Sequence, residues 1–415
     1  MNTATLAVAG SRKTQSIVDA CATGPAGRRR LVLTYTLTGQ RDLERRLSAA
    51  CNPTNLPEVS GWYAFLLRHW IRPFLPLKYP GRRLAGLNFE GVPASRPDGV
   101  VIASGAARYL DAESRAYRRF LSKLAVDVAK AAEGTVITRL QRIYDEIYVD
   151  EVQDMTGYDL DMLEQLLKST STIHLVGDLR QSVFDTNPQD PRLPEFRGLK
   201  MINWFRQQEE SGRLQIKFSS TTLRSVQSVA TFADSLFDAS WGFGATVSAQ
   251  TATSDHDGVF VVAPEHLGAY LDRYKPVCLR QTVATPVPGG VSATNFGISK
   301  GLTHERVLIF PTGPMKTFLK HGRLLAPRSA CGLYVGVTRA YIRPSLRTYY
   351  RDTNLKPQLC RTARIDEYAA RQLRGQNYRL RFREALHIRP REGNGRACAI
   401  QDARIRCSAS YATCR

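Results

Sequence analysis

The segment Thr5-Leu-Ala-Val-Ala-Gly-Ser-Arg-Lys-Thr14 decides the fold of the first part of the chain. Its apolar half, Thr5 to Ala9, predicts a short buried strand, and a helical pattern from Gln15 to Ala22 follows the turn. Backbone amides and a helix N-terminus meet at such a turn, and both attract phosphate groups. The segment therefore predicts a nucleotide-binding loop, with a strand-turn-helix unit that binds no ligand as the alternative.

Five consecutive residues of this turn are the candidates for nucleotide binding: Gly10, Ser11, Arg12, Lys13 and Thr14. Lys13 would contact the β- and γ-phosphates of ATP, and Thr14 would bind Mg²⁺. The usual pattern has glycine where this chain has Ala7 and Arg12, so the match is incomplete.

Further apolar segments alternate with helical ones, which indicates an α/β fold with parallel sheets. The predicted strands are Arg30–Thr36, Ile147–Val149, Ile173–Val176, Gly258–Val262, Pro276–Leu279, Val291–Phe296, Arg306–Phe310 and Ser345–Tyr349. We assign residues 1–50 and 133–205 to a first, ATP-binding domain. Residues 51–132 are assigned to a helical insertion that contains a long helix over Ala112–Ala132, residues 206–352 to a second α/β domain, and residues 353–415 to a basic tail that we expect to be poorly ordered.

The net charge of +21 and the pI near 9.9 predict a polyanionic partner, and nucleic acid is the leading candidate. Residues Arg351–Arg415 contain 15 Lys and Arg against 6 Asp and Glu, so more than half of the excess charge lies elsewhere in the chain. Diffuse charge that serves only solubility is the alternative.

Composition also excludes several classes of protein. The eight cysteines include no Cys-x-x-Cys pair, so neither a zinc site nor a disulfide framework is expected. The first ten residues lack the features of a secretory signal, and no run of about 18 apolar residues predicts a membrane helix. We therefore expect a cytoplasmic protein that does not contact membranes.

An acidic segment, Asp150-Glu-Val-Gln-Asp154, directly follows the apolar strand Ile147–Val149. Two adjacent carboxylates at the end of a strand suit metal-assisted hydrolysis, in which Asp150 binds Mg²⁺ and Glu151 polarises the attacking water. The alternative is an acidic helix cap. The segment Leu175–Ser182 also follows a strand, and its Gln181 is a candidate for sensing the γ-phosphate.

In this order, the segments resemble the conserved motifs of the UvrD/Rep-type helicases of superfamily 1. Seven segments carry the resemblance: the phosphate loop, Leu33–Thr36, Asp150–Asp154, Gly177–Phe184, Leu223–Ser225, Ser299–Leu302 and Leu333–Ala340. They extend over about four fifths of the chain. The segment Leu333-Tyr-Val-Gly-Val-Thr-Arg-Ala340 is the closest match to its family motif.

The resemblance implies two RecA-like domains with ATP and Mg²⁺ in the cleft between them. Arg224 and Arg339 would then be arginine fingers that stabilise charge on the γ-phosphate during hydrolysis. The family's single-stranded DNA track would pass Thr34, Tyr35, Phe184, Ser299 and Lys300. Core packing is the alternative for Tyr35 and Phe184.

The chain departs from the family pattern at several points. Thr303 stands where the family usually has glutamate, and only about 75 residues separate Ser225 from Ser299, which leaves little space for the usual mobile subdomain. The chain begins only a few residues before the first strand, so we expect no adenine-reading glutamine motif. The segments Asp145–Asp154 and Gly157–Asp161 further resemble short UvrD-like subunits that work beside an OLD-type nuclease in Gabija-like antiphage defence.

The sequence thus predicts an ATP-dependent helicase or translocase that moves along single-stranded DNA, with 3′-to-5′ polarity implied by the family, in DNA repair or antiviral defence. A nucleotide-gated DNA-binding subunit with little turnover, which regulates a partner nuclease, is the second hypothesis. An inactive helicase copy is the third. Joint retention of Asp150, Glu151, Arg224 and Arg339 favours the first, because a binding protein does not need Glu151.

Overall fold

The computed structural model describes residues 1–251 and 258–347 of the chain. The strands in these ranges are β1 (Thr3–Ala7), β2 (Arg30–Thr34), β3 (Glu58–Gly61), β4 (Gly86–Asn88), β5 (Arg115–Tyr117), β6 (Glu146–Val149), β7 (Thr172–Gly177), β8 (Gln215–Ser219), β9 (Thr221–Thr222), β10 (Val247–Ser248), β11 (Phe260–Val262), β12 (Val277–Arg280), β13 (Thr294–Asn295), β14 (His304–Phe310) and β15 (Ala340–Arg347).

Helices connect most of these strands. The α-helices are α1 (Lys13–Thr23), α2 (Leu37–Ala50), α3 (Trp62–Phe65), α4 (Leu75–Lys78), α5 (Leu121–Ala131), α6 (Thr135–Ile143), α7 (Tyr158–Leu167), α8 (Met201–Glu210), α9 (Gln227–Asp234), α10 (Leu267–Tyr274), α11 (Gly313–His321) and α12 (Pro327–Val337). A six-residue π-helical segment, Leu66–Ile71, continues α3.

The first sheet has six strands in the order β3-β2-β6-β7-β1-β8, and every neighbouring pair is parallel. All five residues of β2 are buried, as expected for a strand covered by helices on both faces. Parallel pairing brings the carboxyl ends of β6, β7 and β1 to one edge of the sheet. The loops that follow these three strands therefore lie side by side.

The second sheet has five strands in the order β11-β15-β14-β12-β13, and it is parallel throughout. Its core contains Leu279, Phe296, Ile309 and Phe318, packed against α9, α11 and α12. The prediction of an α/β fold with two parallel sheets is therefore confirmed.

The predicted helix over Ala112–Ala132 is wrong in its first half, because the helix begins only at Leu121. The Asp111 carboxylate accepts a hydrogen bond from the backbone N–H of Arg115 at 2.8 Å, and Ser114 has a φ of +60°, so this segment forms a turn. Arg115–Tyr117 then pairs with Gly86–Asn88 as a short parallel ribbon. Residues 51–132 also contribute the edge strand β3 to the first sheet, so this region is not purely helical.

A buried carboxylate links this region to the rest of the first sheet. Asp159 on α7 is fully buried and accepts hydrogen bonds from Trp62 Nε1 at 2.8 Å and Ser122 Oγ at 2.6 Å. The Thr186 hydroxyl donates a third. Tyr63, beside Trp62, donates to the carbonyl of Thr186 at 2.7 Å. Because a buried carboxylate must be satisfied by donors, these bonds fix three chain segments relative to one another.

His69, in the π-helical segment, is the centre of a second buried polar network. Its Nδ1 lies 3.1 Å from the Arg139 guanidinium and its Nε2 lies 3.3 Å from the Tyr144 hydroxyl. Burial and the positive charge of Arg139 lower the pKa of His69 to about 4. The imidazole is therefore neutral in the folded protein at neutral pH.

Several sequence predictions fall on residues that the structure does not describe. They are the tail from residue 353 onwards and the end of the strand predicted over Ser345–Tyr349. Among the helices of the described ranges, none combines the length and apolar character needed to cross a membrane.

We predict that His69 makes stability fall in mild acid. Since its pKa is lower in the folded state than the ordinary value of 6.5, the unfolded chain binds a proton at pH 5 that the folded chain does not. The contribution of the neutral His69 side chain to the free energy of unfolding is complete above about pH 6.5, and it decreases as the pH falls towards 4. Urea unfolding of the wild type and His69→Gln at pH 7 and pH 5 should show a pH-dependent loss about 2 kcal/mol larger for the wild type. Equal losses in both proteins would contradict the prediction.

Candidate nucleotide-binding site

The loop between β1 and α1 has two residues in the left-handed backbone region. Gly10 has a φ of +79°, and Arg12, directly before the helix, has a φ of +62°. A side chain on Gly10 would also place its Cβ 2.5 Å from Cβ of Arg224, in the part of the chain that precedes the second sheet. Glycine is therefore required at position 10, whereas Arg12 adopts its conformation at an energetic cost.

Lys13 begins α1 and points back into the loop. Its Nζ donates to the carbonyls of Val8 at 3.0 Å and Ala7 at 3.3 Å, and it lies 3.8 Å from the Asp178 carboxylate. Burial lowers the pKa of Lys13, and the neighbouring carboxylates only partly offset this effect. The ammonium group is thus a desolvated cation at the centre of the loop.

Thr14, Asp150 and Glu151 meet beside Lys13 because β6 ends next to the loop. The Thr14 hydroxyl donates to Oδ2 of Asp150 at 3.0 Å. Burial and the adjacent charge of Glu151 raise the pKa of Asp150. Burial alone would also raise the pKa of Glu151, but the charges of Lys300 and Lys13 outweigh it and lower the pKa. Glu151 has a φ of +56°, so its backbone is strained, as is common at functional sites.

Gln181 and Asp178 follow β7 and complete the first sheet's contribution. Gln181 Nε2 donates to Oδ2 of Asp178 at 2.8 Å. The Tyr334 hydroxyl, on α12, donates to the same oxygen at 3.2 Å and accepts from the backbone N–H of Ala9 at 3.1 Å. One fully buried tyrosine therefore connects the second sheet to both the phosphate loop and the loop after β7.

Arg224 and Arg339 reach the same cleft from the second half of the chain. Arg339 donates to Oε1 of Gln181 at 3.0 Å, and Arg224 donates to the carbonyl of Thr338 at 3.1 Å. Burial lowers the pKa of both guanidinium groups, and the proximity of Arg224 lowers that of Arg339 further. The predicted nucleotide and catalytic residues are thus brought together at the junction of the two sheets.

The charge balance of this cluster fits a nucleotide with a divalent cation. Desolvation lowers the pKa of three cations, Lys13, Arg224 and Arg339, and the anionic phosphates of a nucleotide would favour their charged forms. The buried hydroxyl of Ser11, in the phosphate loop, has no hydrogen-bond partner. Asp150, with its raised pKa and its contact to Thr14, offers oxygen ligands of the type that Mg²⁺ prefers.

The predicted DNA-binding residues occupy two kinds of environment. Thr34 and Ser299 are buried, and the Ser299 hydroxyl donates to the carbonyl of Phe296 at 2.8 Å. Tyr35 and Phe184 are half-buried. The Tyr35 ring packs edge-on against Tyr63 with centroids 5.7 Å apart. The DNA-binding roles of Thr34, Tyr35, Phe184 and Ser299 stay predictions.

Lys300 lies deeper than a phosphate-binding lysine would, with a side chain only 8% exposed. Its Nζ is 2.6 Å from Oδ2 of Asp154 and 3.3 Å from Oε2 of Glu151. It also lies over the Phe184 ring, 5.7 Å from the centroid.

Sequence reasoning missed three residues of the cleft, Asp178, Arg180 and Tyr334. Arg180 is buried, pairs with Asp234 at 2.6 Å, and stacks 5.0 Å from the Tyr334 ring centroid. Asp178 lies in the segment Gly177–Phe184 with Gln181, and Tyr334 lies in the segment Leu333–Ala340 with Arg339. Membership of these motif-like segments was the sequence signal that could have marked both residues as part of the site. The signal gave no partner for either residue.

Two parallel sheets, with a strand-turn-helix loop, paired carboxylates and two arginines at their junction, define an α/β architecture. Residues 103–189 match the model of the UvrD/REP helicase N-terminal domain family. The match covers about a fifth of the chain and includes Asp150, Glu151 and Gln181. A search of curated protein sequences finds no significant match.

Solved structures of the Arterivirus nonstructural protein 10 helicase are similar to this chain. The complex with DNA aligns with a TM-score of 0.42 and 14% identity, over 85% of this chain and 62% of that one. The crystal structure of Arterivirus nonstructural protein 10 (helicase) aligns with a TM-score of 0.42 and 16% identity, over 84% of this chain and 59% of that one. The chain therefore spans about three fifths of the length of these two helicases.

We predict that Arg12→Gly stabilises the protein. Glycine adopts the left-handed conformation of position 12 without the cost of a side chain, so the free energy of unfolding should rise by up to about 1 kcal/mol. Arg28→Gly is the matched control, because Arg28 is exposed and is not among the residues with positive φ. It should lower stability slightly. Chemical denaturation of the three proteins tests this, and a loss of stability in Arg12→Gly would contradict it.

We further predict that Tyr334→Phe destabilises the junction between the sheets. The substitution leaves the backbone N–H of Ala9 without its acceptor and removes one donor from Asp178, and both groups are buried. Unpaired buried polar groups cost about 1–3 kcal/mol. Thermal unfolding should show this loss, whereas Tyr341→Phe at an exposed position should change stability by less than about 0.5 kcal/mol. Equal effects of the two substitutions would refute the assigned role.

Proposed function

We propose that the chain is an ATP-driven motor that moves along single-stranded DNA, as a helicase or translocase. The observation that supports this most is the convergence of Lys13, Asp150 and Glu151 with Arg224 and Arg339 at one junction. The first three belong to the first sheet and the two arginines come from the second half of the chain. Hydrolysis that needs both halves couples ATP turnover to their relative motion.

Each residue has a distinct role in the proposed reaction. Lys13 and the phosphate loop bind the triphosphate of ATP, and Thr14 and Asp150 hold Mg²⁺, which supplies charge neutralisation at the phosphates. Glu151 accepts a proton from the attacking water. Gln181 orients the γ-phosphate, and Arg224 and Arg339 stabilise the charge that develops on it.

Single-stranded DNA is the proposed track for three reasons. The chain carries a net charge of +21, which favours a polyanion. The two half-buried aromatic residues, Tyr35 and Phe184, follow β2 and β7 of the first sheet, and aromatic side chains at such positions can stack on bases. The matched family model is that of a helicase domain. Movement with 3′-to-5′ polarity, and a role in DNA repair or antiviral defence, are proposed from the motif resemblance alone.

A second candidate function is a nucleotide-gated DNA-binding subunit that turns over little ATP and regulates a partner nuclease. One observation favours it. The Glu151 carboxylate contacts Lys300 and Gln153, and the resulting lowered pKa makes it a weak proton acceptor. Turnover measurements separate the two candidates, because both require ATP binding and only the first requires hydrolysis.

Steady-state ATP hydrolysis with and without oligo(dT) tests the proposal. The wild type should hydrolyse ATP faster when the oligonucleotide is present. Glu151→Gln should lose about 10²–10⁴-fold in kcat, because the proton acceptor is removed, while retaining ATP binding. Glu195→Gln, at an exposed position, is the control and should keep the wild-type rate.

The remaining outcomes decide against the motor. ATP binding without turnover in the wild type would favour the regulatory subunit.

Lys13→Ala should abolish ATP binding, measured by equilibrium dialysis, and unchanged binding in this variant would refute the nucleotide site itself.

A further inference from the structure

Lys300 is the one predicted DNA-binding residue that directly contacts the proposed proton acceptor. It lies in the loop between β13 and β14, which belongs to the second sheet. Its ammonium group contacts Glu151 and Asp154, which follow β6 of the first sheet. The contact therefore crosses the junction between the two sheets.

The buried environment argues against a role as a free phosphate-binding residue. The Asp154 side chain is 1% exposed, and its Oδ1 has no hydrogen-bond partner. Withdrawal of Lys300 towards a DNA phosphate would leave this buried carboxylate without a cation, which is strongly unfavourable. The two carboxylates in turn raise the pKa of Lys300 against the effect of burial, so the lysine stays charged.

The loop that carries Lys300 also contacts one of the arginines. The carbonyl of Leu302 accepts a hydrogen bond from Arg339 at 3.3 Å. On the other side, the Phe184 ring packs so closely on Gly297 that a Cβ there would lie 2.8 Å from it. A shift of this loop away from the first sheet would therefore affect Glu151 and Arg339 together.

We propose that Lys300 is a positioning residue through which closure of the two sheets orients Glu151. Lys300 and Gln153 both contact Oε2 of Glu151. These contacts hold the strained residue in one orientation, so that Oε1 is the oxygen that accepts the proton. When the sheets separate, the contact is lost and hydrolysis stops. This inference rests on the proposed function, since it assigns a role within the same reaction.

Kinetics of Lys300→Met, Lys300→Arg and the exposed control Lys275→Met test the proposal at saturating oligo(dT). Lys300→Met should lower kcat by about 10–100-fold, with the KM for ATP and the Kd for the oligonucleotide within twofold of the wild type. Lys300→Arg should recover part of the rate, because a guanidinium can still pair with both carboxylates. Lys275→Met should behave as the wild type.

A different pattern would overturn the proposal. If Lys300→Met weakens oligonucleotide binding at least tenfold while kcat at saturation is unchanged, Lys300 is a contact to the strand. If Lys300→Arg is as slow as Lys300→Met, the positive charge does not position Glu151. Circular dichroism at the assay temperature identifies variants that are unfolded. For such a variant, a thermal measurement of stability takes the place of the kinetic test.

A thermal double-mutant cycle on Lys300→Met and Asp154→Asn tests the contact without hydrolysis. Each single variant removes the contact between Lys300 and Asp154, so the double variant should unfold at a higher temperature than the sum of the two shifts predicts. Additive shifts would refute the contact. If the wild type shows no turnover, the proposed function fails, and non-additive shifts still support the connection between the sheets.

Discussion

The parallel pairing of β6, β7 and β1 is the constraint on which the site depends. Parallel strands all end at the same edge, so the loops after these three neighbours must lie together. The start of α1, directly after the loop that follows β1, supplies Lys13 and Thr14. The segment after β6 supplies Asp150 and Glu151, and the segment after β7 supplies Asp178 and Gln181. Chemistry that is spread over 170 residues of sequence is thereby brought to one place by backbone hydrogen bonding.

Charged side chains of both signs meet at the junction of the two sheets. Lys13, Arg224 and Arg339 lie at this junction, and desolvation lowers the pKa of each. Hydrogen bonds to backbone carbonyls offset part of the cost of desolvation. Lys13 donates to the carbonyl of Val8, and Arg224 donates to the carbonyl of Thr338. Tyr334 contributes a neutral bridge, which adds contact between the sheets without adding charge. In the proposed function, the phosphates of ATP would pair with these cations, which come from both halves of the chain.

Sequence reasoning identified the features that depend on local pattern. Apolar runs located the central strands, and the segments that carry Asp150 and Gln181 follow two neighbouring strands of the first sheet. The reasoning failed where a side chain overrides periodicity, as in the turn at Asp111 and Ser114 before α5. It also gave no partner for Tyr334 or Lys300, since contacts between distant segments depend on how the two sheets pack and not on either segment alone.

The position of β1 has a consequence for how the chain acquires its structure during synthesis. Thr3 pairs with His174 on one side and with Gln215 on the other, so the first strand made is inserted between two of the last strands of its sheet. At a synthesis rate of about 5–20 residues per second, the N-terminal segment must wait on the order of ten seconds or more for both partners. Until then its apolar residues and unpaired backbone are exposed to solvent and to other chains. Pairing between segments this far apart in sequence slows folding, because the entropy of closing the loop is lost before the contacts form.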